Sequence, residues 1–152
     1  MERWNGGKVE RWKGGIVERW NGGTLIIMEE HIKSYKDLEV WKVSMELATL
    51  VYDVTKKLPD EEKYGLSSQI RRAVISVPSN IAEGASRKNT KEFIHYLYIS
   101  NGSLSELETQ IELAERLTYI EHSDKIFQKI KHIRKMLMNL IKALKNKARS
   151  DL

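Results

Sequence analysis

Cysteine is absent from the 152 residues of this chain. That excludes disulfides, a thiol nucleophile and any cysteine-ligated zinc or iron–sulfur site. No apolar run approaches the roughly 20 residues a membrane-spanning helix needs. No glycine-rich phosphate loop occurs either: the Gly-Gly pairs near the front lack a Lys-Ser/Thr sequel and a strand–helix setting. The first residues mix tryptophan, glycine and charge, which is not the pattern of a signal peptide. A cytoplasmic protein is the default expectation. Proline occurs only twice, at Pro59 and Pro78. Charge is plentiful: Lys plus Arg number 26 against 21 Asp plus Glu, a net charge of +5. Such a mild excess permits nucleic-acid or acidic-protein partners without requiring them. The length suits one domain.

The front of the chain is a tandem repeat. Three octapeptides follow one another, Glu2–Val9, Glu10–Val17 and Glu18–Leu25, each opening Glu-Arg-Trp and carrying Gly-Gly. Two readings stand. Asn-Gly favours tight hairpin turns, so the units can form a small β-meander whose Trp and Arg stack on bases. Two or three short strands bury little and are marginal alone. Tandem duplication of the coding DNA, translated from an upstream start, explains the near-identity directly. The second reading is preferred: residues 1–27 are a disordered or mistranslated leader, Met28 is the true start, and residues 28–152 are the folded domain.

Beyond the repeat, apolar residues recur at helical spacing in four stretches. A first helix is expected over Asp37–Leu58, with Val40, Ser44, Leu47, Val51, Val54 and Leu58 on one stripe. Trp41, Met45, Ala48, Tyr52 and Thr55 lie on a second stripe beside it, and so wide a face suits more than one neighbour. Asp37 is the expected N-cap and Pro59 the stop. A second helix begins at Leu66 and is expected to end at Gly84. Asn89 can cap a third over Thr90–Leu117, with Glu92 reaching back as in a capping box. Its seam, Phe93, Leu97, Ser100, Leu104, Leu107, Ile111 and Ala114, alternates four and three. Gly102 interrupts it at a cost of about 1 kcal/mol, and a close helix–helix approach is the expected reason. A fourth helix, Asp124–Lys147 with Ser123 as cap, repeats the seam through Ile126, Ile130, Ile133, Leu137, Leu140 and Leu144. Short connections make neighbouring helices antiparallel. The expected fold is all-α, an antiparallel up-and-down four-helix bundle.

The second helix carries the most telling residues. Leu66, Ile70, Ala73, Val77 and Ile81 line its apolar face, yet Gln69, Arg71, Arg72, Asn80 and Glu83 are woven through it and Pro78 sits inside it. Gly65-Leu66, Gln69-Ile70-Arg71-Arg72-Ala73 and Asn80-Ile81-Ala82-Glu83-Gly84 resemble the signature of the four-helix bundle family named for proteins encoded in intervening sequences of 23S rRNA genes. Tyr35, Leu38, Val40-Trp41, Tyr52, Pro59, Glu62, Tyr64 and Gly102-Ser103-Leu104-Ser105-Glu106-Leu107-Glu108 extend the likeness over Tyr35–Leu144. The resemblance implies a homopentamer. It also implies kinship with accessory proteins of diversity-generating retroelements, basic barrels that partner a reverse transcriptase and nucleic acid.

Chemistry is sparse. Glu92-x-x-His95 matches half of a di-iron bundle motif, but the second Glu-x-x-His is missing, so no metal or other cofactor is expected. Ser67, Ser68, Ser76 and Ser79 lack a base and an oxyanion hole in their sequence context. Glu83, Glu108 and Glu112 form no recognisable acid–base pair. No enzyme activity is expected. Two groups remain. Arg71, Arg72, Asn80 and Glu83 read either as a polar network, buried or between subunits, that fixes register, or as a contact patch for RNA or protein. From Lys125 to Arg149 there are only basic charges, facing acids between Glu106 and Glu121. The excess at Lys135, Lys142, Lys145, Lys147 and Arg149 reads either as a solvated face or as a ridge that binds phosphates. The expected function is an oligomeric, non-enzymatic nucleic-acid-binding or scaffolding protein, with RNA or single-stranded DNA as ligand. A protein-interaction module without a nucleic-acid role is the alternative.

Overall fold

A computed structural model describes residues 17–21, 24–28 and 34–150. Four helices follow in order: α1 (Glu39–Thr55), α2 (Leu66–Ser86), α3 (Thr90–Arg116) and α4 (Asp124–Ser150). Each packs on the next, and α4 closes back onto α1. The chain therefore forms the antiparallel up-and-down four-helix bundle its periodicity predicts. Ahead of it, β1 (Val17–Asn21) and β2 (Thr24–Met28) pair antiparallel, from Val17 opposite Met28 to Asn21 opposite Thr24. The third octapeptide thus contributes strand residues to a hairpin that runs on through Met28, while the first two octapeptides lie almost wholly outside the described residues.

The seams meet in one core. Leu47, Val51, Ile70, Val77, Ile81, Phe93, Leu97, Leu104, Leu107, Ile111, Ile130, Ile133 and Leu137 are all fully buried. Burying each such side chain contributes about 1.5–3 kcal/mol before the entropy of ordering is counted. Within that core α2 and α3 approach most closely, and small residues make this possible. Gly84 is buried, and a Cβ there would lie 2.7 Å from Tyr96 Cβ and 2.9 Å from Phe93 Cδ2. Ser100 is fully buried and donates its hydroxyl to the Val77 carbonyl at 2.7 Å.

Helix ends and helical glycines depart from expectation at several points, and α4 runs on to Ser150 rather than stopping at Lys147. Asp37 does not cap α1. It closes a one-turn 3-10 helix, Tyr35–Asp37, in which Ser34 Oγ accepts from Lys36 N and the Asp37 carboxylate accepts from Ser34 N, each at 3.2 Å. α1 starts afterwards at Glu39, following extended and buried Leu38. It ends at Thr55 rather than Leu58, and Leu58 is buried in the connection, since a residue ahead of proline is driven from the helical region. Gly84 does not stop α2, which continues to Ser86; this glycine serves the approach to α3 instead. Gly102 serves no such approach: it is exposed, with nothing within 4 Å of the position a Cβ would take. Ser123 precedes α4, but its buried hydroxyl has no hydrogen-bond partner among the described residues. Its carbonyl accepts from Ile126 N and Phe127 N, while its own N–H donates to Glu115 Oε1 at 3.1 Å.

Two caps are made by carboxylates and amides. Asn89 Oδ1 accepts from Glu92 N at 2.8 Å as expected, and Glu92 reaches back to the Asn89 side-chain amide at 2.7 Å. At the start of α2, Glu62 Oε2 accepts from Leu66 N at 2.8 Å. Gly65 leaves room for it, because a Cβ there would stand 2.5 Å from that oxygen.

Candidate nucleic-acid interface

The four polar residues of α2 do not form one cluster. Arg71 is half-buried; its Nε donates to Thr55 Oγ1 at 2.9 Å and its guanidinium lies 5.1 Å from the centre of the Tyr52 ring. Arg72 is exposed. Asn80 donates to the Ser76 carbonyl at 2.8 Å and to Ser76 Oγ at 2.9 Å, and Ser76 Oγ meets Ser103 Oγ of α3 at 2.8 Å. Pro78 leaves the Val74 carbonyl, four residues back, without its ladder donor, and nearby the carbonyls of Ser76 and Val77 each receive a side-chain donor. Glu83 belongs elsewhere: it accepts from Arg87 at 2.5 Å and from the Tyr96 hydroxyl at 3.2 Å. The Glu83 hydrogen bond and the nearby Tyr96 raise the Arg87 pKa above its already high ordinary value. Ser76, which Asn80 holds, and Glu83 thus tie α2 to α3 at two separate points.

The charges of α3 and α4 divide by position along the bundle. Arg134 pairs with Glu108 at 2.8 Å, and Lys129 pairs with Glu46 of α1 at 2.9 Å. Glu112 is taken by Arg116 of its own helix, at 2.6 Å. These pairs lie toward the first half of α4. From Lys135 onward, none of Lys135, Lys142, Lys145, Lys147 and Arg149 makes an ion pair among the described residues. Separations of seven, three and four put Lys135, Lys142, Lys145 and Arg149 on one face of α4. Lys147 falls off that stripe and is half-buried.

The bundle's antiparallel order brings other groups to the same end. The first turns of α3 lie beside the last turns of α4, and between them runs a cleft of about 290 Å³ lined by Thr90, Lys91, Ile94, Lys145, Ala148 and Arg149. Lys145 also reaches Tyr98, one turn further along α3: its ammonium donates to the phenol oxygen at 2.8 Å. Tyr98 itself remains 42% exposed. Lys91, Ile94 and Tyr98 were not singled out by sequence. Their spacing of three and four, one step off the Phe93–Leu97 seam, is the signal that marks them as a second stripe.

A different surface lies between α1 and α2. Trp41, Met45 and Ala48 of the second stripe face Ile75, Pro78 and Ala82 across an open groove of about 330 Å³, with Tyr35 at one end. Met45 and Ile75 are 42% and 44% exposed there. Glu92 is held by Asn89, and exposed His95 packs edge-on to Tyr96 with centroids 5.8 Å apart. Among the described residues no group of three His, Asp or Glu side chains could hold a metal, and no helix is long and apolar enough to cross a membrane.

These features define a small helical bundle with a cationic end and an apolar flank. The model of the 23S rRNA-intervening sequence protein family matches residues 36–139, and the chain belongs to that family. A crystal structure of a protein of unknown function from the S23 ribosomal protein family of Bacteroides thetaiotaomicron is similar. It shares 31% identity, with a TM-score of 0.63, over 68% of this chain and 98% of that one. No curated protein matches.

Proposed function

We propose that this chain is a non-enzymatic scaffold that binds nucleic acid as an oligomer. The observation that carries the reading is the run of cations Lys135, Lys142, Lys145 and Arg149 along one face of α4, none of them in an ion pair among the described residues. Paired charges farther up α4 are spent within the bundle, whereas unpaired ones are free to exchange counterions for phosphates. Lys147 adds to the local potential from the neighbouring face. The ligand is RNA or single-stranded DNA, recognised with little sequence preference. The Trp41–Ile75 groove is the face on which copies assemble, and a homopentamer is the assembly the family resemblance suggests. A ring repeats the ridge, so weak contacts on one strand add by avidity. A reverse transcriptase is the protein partner the resemblance suggests, and the cytoplasm the expected compartment.

The same groove supports a second reading, a protein-interaction module without nucleic acid. Sequencing the nucleic acid that co-purifies with the native protein separates the two. Enriched RNA or single-stranded DNA, lost when Lys142, Lys145 and Arg149 are changed to Gln, supports the first; a preparation free of nucleic acid at low salt supports the second.

A further inference from the structure

We propose that the cleft between the first turns of α3 and the last turns of α4 selects single-stranded over duplex nucleic acid, with Tyr98 and Ile94 receiving the face of an unstacked base while Lys91, Lys145 and Arg149 hold the flanking phosphates. This rests on the nucleic-acid reading above and adds strand selectivity to it. The cations come from two helices: Lys91 from α3, Lys145 and Arg149 from α4. Between them the floor is apolar, Ile94 and Ala148, rather than another charge. A surface built only to touch a duplex backbone has no use for an apolar floor beneath its cations.

Tyr98 extends that floor. It stands one turn beyond Ile94 on α3, is 42% exposed, and has its hydroxyl already bonded to Lys145 at 2.8 Å. The lysine ammonium sits 5.2 Å from the ring centre. One residue therefore lines the cleft and anchors the aromatic ring. Aromatic rings beside cations are how single strands are held without sequence readout, because every base has a face to stack and only an unpaired base can present it. A duplex keeps its bases inside the stack and can use the lysines alone.

Fluorescence anisotropy of the full-length protein against labelled oligo-dT and against a labelled DNA hairpin duplex tests this, with Tyr98→Ala, Tyr98→Phe and Lys91→Gln as variants. The expected result is tighter binding of the single strand by the wild type. Tyr98→Ala should weaken it about tenfold and so remove the preference over duplex, whereas Tyr98→Phe, which keeps the ring and frees Lys145 equally, should retain the preference. Lys91→Gln should reduce the dependence on log salt by about one ion for either ligand. Equal affinity for strand and duplex, or a Tyr98→Ala protein that keeps the preference, overturns the inference while leaving the nucleic-acid reading intact. Failure of both probes to bind at low salt overturns both. Circular dichroism of each variant confirms folding, and Tyr98 lies outside the buried core.

Discussion

Asn80 is bonded twice to Ser76: its side-chain amide lies 2.8 Å from the Ser76 carbonyl and 2.9 Å from the Ser76 hydroxyl. Ser76 in turn meets Ser103 across the α2–α3 contact. The polar residue that sequence reads as a register device is thus satisfied inside one chain. Asn80→Leu should keep the helix content and the oligomeric mass, and lower stability by about 1 kcal/mol. Thermal melts and light scattering check it; a changed mass would place Asn80 between subunits instead.

Gly84 sets the distance between α2 and α3. An alanine Cβ there would stand 2.7 Å from Tyr96 Cβ and 2.9 Å from Phe93 Cδ2. Both neighbours belong to α3, so the two helices have to separate or the rings have to turn. Gly84→Ala should cost about 1–3 kcal/mol, measured by urea unfolding. Gly102→Ala, at an open helical site, should stabilise by about 1 kcal/mol, which makes the pair an internal control.

Burial first, and then the Glu62 carboxylate, raise the Tyr119 phenol above its ordinary pKa of 10.0. The folded state therefore holds this proton more tightly than the unfolded chain does. The stability it contributes is complete below the unfolded value and is lost as pH rises through the folded one. Melting temperature should fall as pH climbs above about 10, and Tyr119→Phe should remove part of that alkaline loss. A Tyr119→Phe protein with an unchanged alkaline profile would assign the loss to other groups.

The bundle was legible because its seams keep phase over whole helices, and the same phase separates the two helical glycines. Gly84 follows Val77 and Ile81 at steps of four and three, on the apolar stripe. Gly102 falls midway between Ser100 and Leu104, on the opposite face, so its composition misleads where its phase does not. Caps were less legible: Ser34 and Asp37 do stand at capping-box spacing but close a separate 3-10 turn, Glu62 serves Leu66 N across a loop, and Ser123, expected as a side-chain cap, leaves its hydroxyl without a partner among the described residues. The α4 stripe could be read along one helix. The Lys91–Tyr98 side of the cleft could not, because it becomes a site only when α3 and α4 lie side by side.

The described core runs from Leu38 to Leu144. Deleting residues 1–27 should leave helicity, melting temperature and oligomeric mass unchanged, because the four helices already share one core among the described residues. The cut passes through β2, which ends at Met28, so a large fall in melting temperature would show that the hairpin packs on the bundle.

Binding of a labelled RNA strand across a salt series, compared between wild type and the Lys142→Gln, Lys145→Gln, Arg149→Gln triple variant, tests the central claim most directly. The wild type should bind at low salt and lose affinity steeply as salt rises, because each neutralised phosphate releases counterions. The triple variant should bind more weakly and show a flatter slope, by about two to three ions. A wild type that fails to bind at low salt, or a triple variant with the same affinity and the same slope, would contradict the account.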